Sequence, residues 1–245
     1  NLSHALYLTA GSSPEIRDNT LSHNRSYAVY MEGNCLPVVS DNSAFSNAYN
    51  AIGVYGALST GAWHADLPYI VTQNLAVASG ATLTLEPGTV VKFLANTNLS
   101  IQGALVASGT LALPITFTSI HDDAYGGDAQ QNGMATQPRP GDWGTLYFGD
   151  TSDDATTVLQ HVVVRYGGAS FNYGSGTATA DVTLDSASPA IRRCVIEQSA
   201  RYGVQLLNAS SPILEGNTIW ENGDEGLGIS ASSSPNVKDN ALVRN

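Results

Sequence analysis

The residues best equipped for chemistry fall into two long, irregular runs. The first, SIHDDAYGGDAQQNGMATQPRPGDW (119–143), brings Asp122, Asp123, Asp128 and Asp142 together with Tyr125 and Trp143. The second, YGGASFNYGSGTATAD (166–181), adds Tyr166, Phe171 and Tyr173. Aromatic faces beside carboxylates suit sugar rings, because the ring stacks while the carboxylates accept hydroxyl hydrogen bonds. Tyr125, Asp142, Trp143, Tyr166, Phe171 and Tyr173 are therefore the candidate glycan contacts. Asp122, Asp123 and Asp128 are candidate ligands for a calcium ion, which takes oxygen donors. No cofactor is required by the pattern, and neither the EF-hand spacing nor the nonapeptide GGxGxDxUx repeat is present. The competing expectation is that Trp143 and the tyrosines pack the runs down while the aspartates face water.

Catalytic patterns are absent. Asp122/Asp123 and Asp153/Asp154 are adjacent pairs, and adjacent loop residues diverge, whereas glycoside hydrolysis needs two carboxylates about 5 to 10 Å apart. His4, His23, His64, His121 and His161 are scattered without metal spacing. Neither a G-x-S-x-G elbow nor a phosphate loop occurs. No catalytic residue is assigned.

A repeat positions these runs. Pro14 and Pro37 are 23 residues apart, as are Pro189, Pro212 and Pro235. Two positions after each anchor stands Ile16, Val39, Ile191, Leu214 or Val237. At five come Asn19, Asn42, Cys194, Asn217 and Asn240, and at ten Asn24, Asn47, Ser199, Asn222 and Asn245. At seven stand Leu21, Ala44, Ile196, Ile219 and Leu242. From fifteen on, apolar pairs flank one residue: Val29/Met31, Ile52/Val54, Val204/Leu206 and Leu227/Ile229. Alternation in short runs means strands with one face inward. Stacked asparagines can bond from coil to coil, and asparagine tolerates a left-handed bend. Twenty-three residues are too few for a propeller blade of about 40 to 45, which leaves three short strands per coil. The chain is all-β, a solenoid.

Between residues 56 and 187 the anchors vanish, yet alternation persists over 75–77, 83–85, 90–93, 99–101, 105–107 and 115–117. In the regular repeat eight residues separate the seventh and fifteenth columns. Phe117 to Leu146 is 29 residues and Val164 to Val182 is 18, so both insertions leave one corner of neighbouring coils and should lie side by side. Tyr7 and Tyr30 stand one coil apart with Tyr55 nearby, an outward set that reads as a stabilising ladder or a glycan surface.

Bulk composition agrees. Charged residues are 13%, Gly counts 24, and net charge is −11 from 21 acidic against 10 basic residues, a field that repels nucleic acid. No 18-residue apolar run spans a membrane. Cys35 and Cys194 should lie on the order of 20 Å apart from the coil spacing, too far for a disulfide.

The run WHADLPYIVTQNLAVASGATLTLEPGTVVKF (63–93) resembles the opening of bacterial right-handed parallel β-helix domains. So do PITFTS (114–119), GDWGTLYF (141–148), LQHVVVRYGG (159–168) and NTIWENGDEGLGI (217–229). The resemblance, to a pectate-lyase-like family of secreted and surface proteins, covers essentially the whole chain and implies a right-handed coil. The polygalacturonase-type motifs NTD, GHG and RIK are absent, and none of Arg165, Arg192, Arg193 or Arg201 falls in a lyase motif. It further implies a division into closing coils of one array (1–60) and a second array (61–245), together one continuous solenoid. No capping helix shows at either end, so a fragment of a longer parent is expected. The functional expectation is a structural or adhesive segment of a bacterial secreted or cell-surface protein that binds polysaccharide or surface glycan. A polysaccharide lyase or glycoside hydrolase is the alternative, and a fibre-forming spacer that self-associates through coil ends is the third.

Overall fold

A computed structural model describes residues 3–133, 135–174 and 176–245. Among them every secondary-structure element is a strand. The pairs are parallel except for one hairpin, Phe171–Asn172 against Thr177–Ala178. Successive coils therefore stack as a parallel β-helix, as the repeat predicts.

Face 1 is a ten-strand stack. It runs through Leu6–Leu8, Tyr27–Glu32, Tyr49–Leu58, Tyr69–Val77, Val90–Phe93, Ile115–Ser119, Val162–Arg165, Val195–Glu197, Thr218–Trp220 and Ala241–Val243. Face 2 begins on the distal halves of Tyr49–Leu58 and Tyr69–Val77. It continues through Leu99–Ile101, Leu146–Phe148, Ala180–Asp185, Tyr202–Leu207 and Leu227–Ile229. Face 3 runs from Gly61–Trp63 through Thr82–Leu85, Ala104–Ser108, Val158–Gln160, Ala190–Arg192 and Ile213–Glu215 to Asn236–Lys238. Period-2 alternation sends one side chain of each rung inward. Val91, Phe117, Val164, Ile196 and Ile219 form such a column on face 1, all buried. Each fully buried aliphatic contributes about 1.5–3 kcal/mol.

The stack departs from the repeat at one place. Val29 and Ile52, fifteen positions after their prolines, lie in the same column as Ile196 and Ile219, which are seven after theirs. The short pairs Glu15–Arg17 with Val38–Ser40 and Thr20–Ser22 with Ser43–Phe45 make separate sheets before this point. The slip arises because Ile52 pairs with Tyr69 after 17 residues instead of 23, a coil short of one strand. Segment 64–68 replaces that strand, and Asp66 accepts from Asn42 N and Nδ2 at 3.1 and 3.0 Å, filling the asparagine column. A register shift between Val54 and Gly56 lets the strand run on to Leu58 and found face 2.

The asparagine columns form as expected: Asn24 Nδ2 donates to Asn47 Oδ1 (2.8 Å) and Asn217 Nδ2 to Asn240 Oδ1 (2.9 Å). The left-handed bend, however, falls one residue earlier. Asp18, His23, Asp41, Ser46, Arg193, Gln198, Glu221 and Asp239 have φ between 52° and 59°, whereas the ladder asparagines do not. Cys194 takes an asparagine place, its thiol near Arg192 O at 3.2 Å, and both cysteines are buried and free.

Candidate functional site

The two insertions do lie against one another. Gly141 N donates to Gly167 O (2.9 Å), Asp142 N to Tyr166 O (3.0 Å) and Ala169 N to Trp143 O (3.0 Å). They divide the sequence-selected residues between two sides of their shared corner.

On the face 1 side the outward column carries Lys92, Thr118, Arg165, Glu197 and Trp220. The first insertion folds back over it, and a small second core of Tyr27, Ala51, Ile70, Ile120 and Ala129 forms beneath. Lys92 is fully buried, and its Nζ donates to Asp122 O (2.9 Å) and Gly127 O (2.6 Å). Burial lowers its pKa, against the pull of Asp123, Asp122 and Asp128. Arg165 lies over the rings of Tyr166 and Tyr125, 4.5 and 5.5 Å from their centroids. Its Nε is 3.2 Å from Glu197 and 3.8 Å from Asp122, and Nη2 donates to Tyr166 Oη (2.7 Å) and Gln198 Oε1 (2.8 Å). Side-chain exposure is 15% for Arg165, 8% for Glu197 and 4% for Asp122, so little of the cluster meets solvent. Burial opposes the charge on Arg165, but Glu197, Tyr166 and Asp122 hold its pKa above the ordinary arginine value. Burial also raises the Glu197 carboxyl and outweighs Arg165. At 3.2 Å the guanidinium favours the ionised carboxylate, so we read the contact as an ion pair.

The aspartates are turned to local donors. Asp122 accepts from Thr118 Oγ1 (2.7 Å) and Ala124 N (3.2 Å). Asp128 accepts from Asn132 N (3.2 Å) and Gly133 N (2.7 Å), and Asp142 from Ser119 Oγ (2.6 Å) and Arg139 N (3.0 Å). Asp123 is raised by burial and then by Asp128. Calcium requires six to eight converging oxygens. Among the described residues no group of three or more His, Cys, Asp or Glu side chains is placed to hold a metal. The Asp122 and Asp128 carboxylates are instead taken up by these hydroxyl and backbone donors. All three carboxylates favour the charge on the nearby Lys92 ammonium.

Two of the candidate rings are core. Trp143 is fully buried, stacked on Phe93 at 4.1 Å, with Nε1 donating to Arg165 O (2.9 Å). Tyr166 is buried and belongs to the main core. As glycan contacts these two are corrected: Trp143, at the end of the first insertion, and Tyr166, directly after the strand Val162–Arg165, both turn into the interior. Tyr125 is half-buried and spent on Arg165.

On the face 2 side the hairpin brings Phe171 and Tyr173 over Tyr147, at ring-centroid distances of 5.7 and 4.9 Å. Tyr147 Oη donates to Asp185 Oδ2 (2.7 Å), and Asn208 Nδ2 donates to Asp185 Oδ1 (2.6 Å). Phe171 and Tyr173 remain half-buried, so part of each ring meets solvent. The root of the hairpin is closed by Asp181, fully buried, whose Oδ1 accepts from Gly167 N (2.7 Å) and whose Oδ2 has no partner. Burial pushes this carboxyl well above its usual range. Sequence reasoning missed Lys92, Glu197, Tyr147, Asp181 and Asp185. The one signal was Lys92, a lone lysine inside the apolar run 90–93.

The outward tyrosines near the start form a ladder. Tyr27 stacks on Tyr49 (4.4 Å) and Tyr30 (5.2 Å), Tyr30 on Tyr55 (5.1 Å), and Tyr7 Oη bonds Tyr55 Oη (2.9 Å). Ring faces are used on one another, as the ladder reading expects.

Parallel stacked coils with insertions at one corner define a parallel β-helix protein. The family described as the right handed beta helix region matches residues 1–62 and 152–245, and the pectate-lyase like beta helix domain matches 57–180. The chain belongs to the right-handed β-helix family. No curated protein and no solved structure matches it. The boundary between the two matched regions falls at the coil where the stack changes face.

Proposed function

We propose that the chain is a non-catalytic scaffold segment of an extracellular or cell-surface protein. Its carbohydrate-binding platform is Phe171 and Tyr173, with Asp185 beneath. The observation that carries this reading is the burial of the charged cluster: Asp122 and Glu197 are both held against Arg165, with little of any of the three open to solvent. An arginine whose pKa is raised is no base, while the hairpin rings stand partly free over a buried carboxylate. Glycan-array binding of the intact chain should be lost in Tyr173→Ala and in a variant whose hairpin is replaced by a short turn. Unchanged binding by both would sink the assignment.

A polysaccharide hydrolase is the second reading. Asp122 Oδ2 and Glu197 Oε1 flank one Arg165 Nε at 3.8 and 3.2 Å, so they lie no more than about 7 Å apart, an upper limit that overlaps the carboxylate separations of glycoside hydrolases. Release of reducing ends from uronate or neutral polymers, abolished in Glu197→Gln, would support it and displace the scaffold reading.

A further inference from the structure

Three rungs along face 2 from Tyr147, through Thr183 and Gln205, the outward position is Gly228. A Cβ built there would meet Cδ1 and Cε1 of Tyr202 at 2.9 and 3.0 Å. Glycine thus lets the ring of Tyr202, one coil back, settle against the sheet. The ring is half-buried, so its remaining surface faces solvent. An open depression of about 300 Å³ beside it is lined by Tyr202, Gln205, Glu225, Gly228 and Ser230. Gln205 Oε1 accepts from Thr179 N (3.2 Å), which leaves its amide hydrogens for a ligand. Glu225 is exposed. Its carboxylate offers acceptors to sugar hydroxyls.

We propose that Tyr202, seated on Gly228 and flanked by Gln205 and Glu225, is a second sugar platform. An uncharged polysaccharide then lies along the solenoid axis on face 2 from Tyr173 to Tyr202. This extends, and rests on, the carbohydrate reading of the hairpin. Rungs repeat about every 4.8 Å, so Tyr147 and Gly228 are roughly 14 Å apart along the axis, the reach of a short oligosaccharide. The charge pattern selects the class. Glu225 and Asp185 flank the path, the chain carries −11, and no Lys or Arg lines the depression. The neighbouring Arg201 is engaged by Asp224 at 2.9 Å. A uronate or sulfated polymer would meet like charge at each platform.

Calorimetric titration of the whole chain with soluble, uncharged hexose oligomers of increasing length tests this. Wild-type affinity should rise with oligomer length. Tyr202→Ala should weaken the longest oligomers about tenfold, a loss of about 1.4 kcal/mol, and leave the shortest unchanged. Gly228→Val, which displaces the ring without removing it, should do the same, and both variants should keep the wild-type urea midpoint within error. Tyr173→Ala should weaken every length. If Tyr202→Ala and Gly228→Val bind all lengths as wild type does, this inference is overturned and the hairpin assignment stands. If wild type binds no oligomer, the hairpin assignment fails first and takes the second platform with it. Tighter binding of uronate oligomers than of neutral ones would overturn the choice of ligand class.

Discussion

At the residue scale, Asp181 shows how burial sets a charge state. Its carboxyl is fully buried, takes one hydrogen bond from Gly167 N, and leaves Oδ2 unpartnered. Desolvation disfavours the anion, so the folded pKa stands well above the unfolded one. Between those two values the folded chain holds a proton that the unfolded chain has lost. The stability from this group is therefore fully present below the unfolded pKa, near 3.9, and is lost as pH rises through the folded pKa. Asp181→Asn keeps the acceptor for Gly167 N and removes the titration. Its unfolding free energy from urea titration should exceed that of wild type at pH 8, by on the order of 1 kcal/mol for each unit of the shift. The difference should shrink toward pH 4; a gap that stays constant with pH would rule this account out.

At the scale of the element, each corner divides its labour between two neighbours. The asparagine supplies the ladder and the residue before it supplies the bend. Asn47 Oδ1 accepts from Asn24 N and Nδ2, and its Nδ2 donates to Leu21 O (2.7 Å). Asn47→Ala leaves buried donors and acceptors unmatched and should cost about 2–4 kcal/mol. Ser46, exposed at φ 54°, carries a left-handed strain that glycine does not feel. Ser46→Gly should raise stability by about 0.5–1 kcal/mol, read as a higher urea midpoint with unchanged slope. The asparagine columns are legible in the sequence because a ladder needs one residue type at one spacing. The bends are not, because Asp18, His23, Ser46, Arg193 and Glu221 share a backbone conformation and no chemistry. The same limit governs the insertions. Their adjacency follows from counting residues, whereas the burial of Trp143 and Tyr166 depends on how irregular chain outside the strands turns at the corner.

At the scale of the whole molecule, the coil is a modular unit everywhere except where the stack changes face. Within 189–245 each strand lies 23 residues from its neighbour in the stack: Ile191 on Leu214, Ile196 on Ile219, Val204 on Leu227. An added coil there meets the same columns above and below. Across the short coil the partners are Ile52 and Tyr69, and among the described residues no face 2 strand pairing precedes Gly56. The sequence columns look alike on both sides, so repeat alignment alone places Val29 with Val204, although their stacks are different ones. A solenoid's stability is a sum of coil and nearest-neighbour contributions, which makes the two regions experimentally distinct. Duplicating residues 212–234 in tandem should preserve the parallel-β circular dichroism. It should also raise the denaturant slope by about a tenth, since that slope scales with the surface exposed on unfolding and face 1 has ten rungs. Duplicating residues 52–68 inserts a second 17-residue coil, puts the strand after it out of register with the coils before, and should yield a destabilised, aggregation-prone chain. Equal tolerance of both duplications would mean that the change of face is no structural boundary, and that the coils before it are interchangeable with those after.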